Sequence, residues 1–132
     1  AVFVKTSSLI YGNAVMNGSI PNYAALGAQA FQKGQYKNAA NLYLKASLAD
    51  PSNYTHFENI GICYYTAKSF DKAIQYFNLA IALPNANTGK SEFFKAMSYI
   101  SLGNKAAACG ALQAAKLKKY PGVDVQIAQY CK

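Results

Sequence analysis

GQYKNAANLYLKASLADPSN, Gly34–Asn53, and KSFDKAIQYFNLAIALPNAN, Lys68–Asn87, decide the fold. Each opens on a polar turn, runs through Ala and aromatic residues at helical spacing, and stops near Pro51 or Pro84. Displacing the chain by 34 residues lays Tyr23 on Phe57, Leu26 on Ile60, Gly27 on Gly61, Ala39 on Ala73, Tyr43 on Phe77 and Ala46 on Ala80. A further displacement of 35 lays Gly61 on Ala96, Tyr64 on Tyr99, Ala73 on Ala108, Phe77 on Leu112 and Ala80 on Ala115. The extra residue falls in the polar loop PNANTGK. The chain therefore states one phrase three times, and a fixed period of this length marks a stacked repeat architecture.

Each phrase reads as a helical hairpin. Tyr23, Leu26, Gly27 and Ala30 recur at i, i+3, i+4 and i+7, one face of a helix. Ala39, Tyr43 and Ala46 make the facing stripe of a second helix. Gly34 ends the first helix and Pro51 ends the second. Ser69 is placed to cap a helix start. Gly27 and Gly61 sit inside helices, where Gly costs about 1 kcal/mol against Ala. That cost predicts a second helix backbone passing close by.

The pattern resembles the tetratricopeptide repeat family, on YAALGAQA…AANLYLKASLADP and FENIGICYY…AIQYFNLAIALP. The third phrase, EFFKAMSYISLGNKAAACGALQAAKLKKYP, departs from it: Ala96 replaces Gly, Leu112 replaces the aromatic, and Pro121 comes one residue late. The resemblance implies an all-α, right-handed solenoid whose first helices line a concave face. The expected layout is a non-repeat arm or cap over residues 1–19 and three repeats over 20–121 (about 20–53, 54–88 and 89–121). A short capping helix follows over 122–132, with Asp124 as its N-cap and Val125, Ala128 and Ile127 covering the last hairpin. A helix that short is marginal alone.

Composition narrows the function. The apolar share is 52% and the charged share 14%, against roughly 25% charged in typical soluble proteins. Net charge is +8, with every one of the 13 basic residues a Lys. Nucleic-acid readers favour the planar guanidinium of Arg, so a solvated Lys surface is expected and no nucleic-acid partner. No window approaches the ~20 apolar residues of a membrane span. The five acidic residues, Asp50, Glu58, Asp71, Glu92 and Asp124, form no evident acid/base pair. His56 is the one His, expected to be exposed at a helix start. No nucleophile elbow, phosphate loop or dinucleotide fingerprint is present. A non-enzymatic protein, with no cofactor, metal or small-molecule substrate, is the expectation.

Cys63 lies among packing residues and is expected to be a buried free thiol. Cys109 sits early in the last hairpin's second helix and Cys131 ends the capping helix, and a bond between them is expected, a pairing that resembles that of exported bacterial repeat proteins whose last repeat carries an AAC run and whose tail ends in YCK. That resemblance implies a disulfide tethering the capping helix and an oxidising, secreted or periplasmic setting; the alternative is two unpaired thiols in a reducing one. Two sequons, at Asn17 and Asn53, are candidate glycosylation sites, with unmodified Asn the alternative.

The resemblance also places Ala24, Ala28 and Phe31, then Glu58, Ile62 and Tyr65, then Phe93, Met97 and Ile100 on the concave wall. Some members capture a C-terminal carboxylate with Lys and Asn at such places, and Ala28, Ile62 and Met97 supply neither group. Phe31, Ile62, Tyr65, Phe93, Met97 and Ile100 are the expected partner-binding residues for an inserted protein segment. Residues 1–19 break the repeat grammar, and their Phe3, Leu9, Ile10 and Tyr11 are expected to contact a neighbouring subunit or to cap the first hairpin. Two functions compete: a structural subunit that binds copies of itself, assembling into filaments, and an adaptor that binds a different protein in its groove.

Overall fold

The computed structural model describes residues 20–132, and the expectations for Phe3, Leu9, Ile10, Tyr11 and Asn17 lie outside them. The first hairpin is α1 (Tyr23–Gln32) and α2 (Tyr36–Ala49), the second α3 (Tyr54–Thr66) and α4 (Phe70–Ile81). The third is α5 (Lys90–Ser101) and α6 (Lys105–Leu117), and α7 (Val123–Tyr130) follows. No strand occurs among the described residues. Each helix packs on the next in the chain, and α3 also touches α5. The first helices of the second and third hairpins thus meet, as on the inner side of a tetratricopeptide-type solenoid.

The turn inside each hairpin repeats one backbone device. Gly34, Lys68 and Gly103 occupy equivalent places with φ of 78°, 64° and 79°. Gly adopts this left-handed region at no steric cost. Lys68 shows that the fold imposes it regardless of residue. Ser69 stands at the N-cap of α4 as expected, though its side chain makes no capping bond; the side-chain caps are Asn, at the starts of α1, α3 and α6. Asn22, Asn53 and Asn104 accept through Oδ1 from the amides of Ala25, Thr55 and Ala107 at 3.0–3.1 Å.

The glycine expectation is corrected in kind. What approaches Gly27 and Gly61 is an aromatic ring of the same hairpin, not a helix backbone. A Cβ at Gly61 would lie 2.5 Å from the Phe77 ring, and one at Gly27 would lie 3.1 Å from Tyr43. Phe77 is fully buried, as are Ala73 and Ala80 on either side. In the third hairpin the pair becomes Ala96 and Leu112, both fully buried. A smaller aliphatic partner leaves room for the Cβ, so the two departures from the pattern compensate each other.

The last helix is real but turned. It starts at Val123, behind Gly122 at φ 80°, with Asp124 in its first turn instead of at the cap. Val123, Ile127 and Cys131 pack on Ala111, Leu112 and Ala115. Val125 and Ala128, expected to cover the hairpin, point outward. Cys109 and Cys131 are disulfide-bonded with Cα atoms 5.6 Å apart. Cys131 must therefore face α6, and i−4 and i−8 from it fall on Ile127 and Val123. Cys63 is free and buried, and burial pushes its thiol up to about 11.

A buried ion pair secures the long loop before α5. Glu92 is 4% exposed and meets the Nζ of Lys118, which also donates to the Ala86 carbonyl at 2.6 Å. One ammonium at the end of α6 thus holds both the start of α5 and the loop.

Candidate functional site

The inner wall is built by α1, α3 and α5. Phe31, Ile62, Tyr65, Phe93, Met97 and Ile100 are all half-buried there. The fold does not leave their rings free of one another. Phe31 meets Tyr36 edge-on at 5.1 Å. Tyr65 meets Phe70 at 5.7 Å and Phe94 at 5.2 Å, both edge-on. Phe93 lies 5.3 Å from Phe94 and 5.0 Å from Tyr120. Contacts of this kind prefer edge-on or offset geometry and add about 0.5–1.5 kcal/mol each beyond area burial. The expected anchors are therefore held in place by rings of their own hairpins and, for Tyr65, of the next one, while keeping part of their surface open.

Phe94 is the residue that joins them, since it also lies 6.4 Å from Phe77. Sequence reasoning passed it over. Its signal was the Phe93-Phe94 doublet, where one ring serves the wall and the other the junction between hairpins. Glu58, placed on the wall by the family pattern, is 7% exposed. Its Oε2 accepts from Ser91 Oγ of α5 at 2.8 Å. The carboxylate bridges neighbouring first helices there instead of standing free in the groove.

His56 also departs from expectation. Its side chain is 12% exposed, with Nε2 3.5 Å from Asp50 Oδ2. Asn53 donates to the same Asp50 oxygen at 3.0 Å, so the residues around Pro51 are tied into α3. Asn53 is half-buried as the cap of α3.

A second concavity lies away from the wall. Glu92, Lys95 and Tyr99 of α5 and a row of small α6 residues, Ala107, Gly110 and Ala111 among them, enclose a cleft of about 350 Å³. Among the described residues no group of three or more His, Cys, Asp or Glu side chains is arranged to hold a metal ion. Among them too, no helix is long and apolar enough to cross a membrane.

Residues 25–88 match the family model of the tetratricopeptide repeat. Among solved structures, the second TPR domain of human RPAP3, in complex with the HSP70 peptide SGPTIEEVD, superposes with a TM-score of 0.75 at 20% identity, over 83% of this chain and 92% of that one. The N-terminal domain of stress-induced protein-1 from C. elegans gives 0.76 at 19% identity, over 83% and 92%. The Yersinia enterocolitica type III secretion chaperone SycD, in complex with a peptide of the translocator YopD, gives 0.70 at 18% identity, over 81% of each. At these identities the likeness shows a shared fold. Compared by sequence with curated proteins, the chain has no match.

Proposed function

We propose that this chain, whose residues 25–88 match the tetratricopeptide repeat family, is a non-enzymatic scaffold whose partner is protein, foremost copies of itself. The fold class is one of protein interaction. The observation that carries the self-association is the placement of exposed apolar side chains at both ends of the described stack. Ile20 stands 74% exposed before α1, Leu117 and Val125 stand 85% and 67% exposed at the other end, and Leu48 of α2 adds a further exposed side chain at 78%. Single exposed apolar residues are ordinary, but large ones at opposite ends suit a head-to-tail contact. A heterologous contact of that kind closes into a ring or runs on as a filament. Residues 1–19, with Phe3, Leu9, Ile10 and Tyr11, supply a further subunit contact in this reading. The Cys109–Cys131 bond supports an extracytoplasmic setting, where disulfides persist.

The adaptor reading is favoured by a different observation. RPAP3 and SycD were solved with peptides of other proteins bound. In that reading Phe31, Ile62, Tyr65, Phe93, Met97 and Ile100 receive an apolar segment. An acidic peptide such as SGPTIEEVD finds no Lys or Asn at Ala28, Ile62 or Met97.

The test is a chain carrying Leu117→Asp and Val125→Asp. Both side chains are exposed, so helicity by circular dichroism stays at the wild-type level. Association by light scattering weakens at least tenfold, about 1.4 kcal/mol or more. Unchanged association would remove the ends as the contact and leave the wall.

A further inference from the structure

We propose that the cleft between α5 and α6 is the socket for an aromatic side chain of a second copy, namely Tyr11 from its residues 1–19. The inference rests on the self-association reading and names the site that receives the arm.

The internal repeat supplies the chemistry. In the second hairpin the equivalent space is filled from within. Tyr64 and Tyr76 stack with ring centroids 5.7 Å apart and planes 20° apart. Lys72 lies over the same Tyr64 ring, its Nζ 5.3 Å from the centroid. Displaced by 35 residues, Tyr64 becomes Tyr99, but Tyr76 becomes Ala111 and Lys72 becomes Ala107. The receiving ring is kept while the ring and the cation that cover it are gone. The cleft of about 350 Å³ is what their loss leaves.

The other wall of the cleft is also altered. Phe57 and Ile60 of the second hairpin become Glu92 and Lys95. Glu92 is already matched by Lys118. Lys95 is half-buried and has no ion pair among the described residues. A guest ring placed against Tyr99 gains a stacking partner and, from Lys95, a cation over its face. The cleft thus calls for a ring from outside, and the cation that the second hairpin takes from Lys72 is here supplied by the host. Tyr11 repeats Tyr76 like for like. It closes the apolar run Leu9-Ile10-Tyr11 in a segment of 19 residues that contains no carboxylate to compete for Lys95.

Filling the cleft from within tests this in the full chain. Gly110→Tyr, at an exposed lining position where a Cβ meets nothing within 4 Å, puts a ring into the cleft from its own chain and should weaken association at least tenfold by light scattering, with wild-type helicity. Tyr11→Ala, a change outside every described helix, should weaken it to a similar degree. Chains carrying Tyr11→Cys, mixed with chains carrying Ala107→Cys under mild oxidation, should give a link between position 11 of one copy and position 107 of the other, mapped by mass spectrometry. A link within single chains that carry both substitutions, formed at high dilution, would overturn the assignment to a second copy. Normal association by both Gly110→Tyr and Tyr11→Ala would overturn the socket while leaving self-association standing. A wild-type chain that never associates would overturn both.

Discussion

Gly61 and Phe77 show how a single absent atom sets the distance between two helices. The ring fills the place where a Cβ would stand, at 2.5 Å. Gly61→Ala improves helix propensity by about 1 kcal/mol. It also forces the fully buried ring to move, and overpacking of this kind costs about 1–3 kcal/mol. The rigid aromatic has no flexible end to yield, so the clash wins and the variant should lose about 1–2 kcal/mol in urea unfolding. Adding Phe77→Leu reproduces the Ala96 and Leu112 combination of the third hairpin. The double variant should be less destabilised than the sum of the single changes, a coupling expected of residues in contact. Strict additivity would mean that the ring is not what excludes the Cβ. The sequence marked both glycines as close approaches. It could not say what approached, because an i, i+4 stripe locates a face and not the group opposite it.

Among the elements, α7 is the one whose existence was legible and whose orientation was not. It has eight residues, too few to be stable alone. Two things hold it: the apolar contacts of Val123 and Ile127 on α6, and the bond from Cys131 to Cys109. Reading Asp124 as the cap placed Val125 and Ala128 inward. The helix starts two residues earlier, with Gly122 at the cap, and Cys131 fixes its phase. Counting back by fours from Cys131 would have found the buried face, since a bonded cysteine must point at its partner. The hairpins were easier, because three copies of one stripe average out a local error. The wall was legible as a set of residues, whereas the Phe94 hub and the Glu58–Ser91 bond depend on contacts between hairpins that no single repeat encodes. Replacing Cys109 and Cys131 with Ser should cost about 3 kcal/mol, the loop entropy of a 22-residue separation. Hydrogen exchange should show the loss first in the amides of α7, with α1–α4 protected as before. Uniform loss across the chain would mean that the bond supports the whole stack and not its end.

At the scale of the molecule, a low share of charge, exposed apolar ends and an uncovered ring socket all concern surfaces rather than chemistry. The described residues hold no metal cluster, and their buried carboxylates, Glu58 and Glu92, are engaged with Ser91 and Lys118. The end of a solenoid needs cover, because each repeat is built to be covered by the next, and at the C-terminal end α7 supplies part of it. Copies of the chain are expected to cover one another. Light scattering of the purified, unreduced full-length chain over a wide concentration range, paired with electron microscopy of the same samples, tests this most directly. The expected result is a mass that rises with concentration and elongated particles built of repeated subunits. A single-chain mass at every concentration, with only small monodisperse particles in the images, would contradict it.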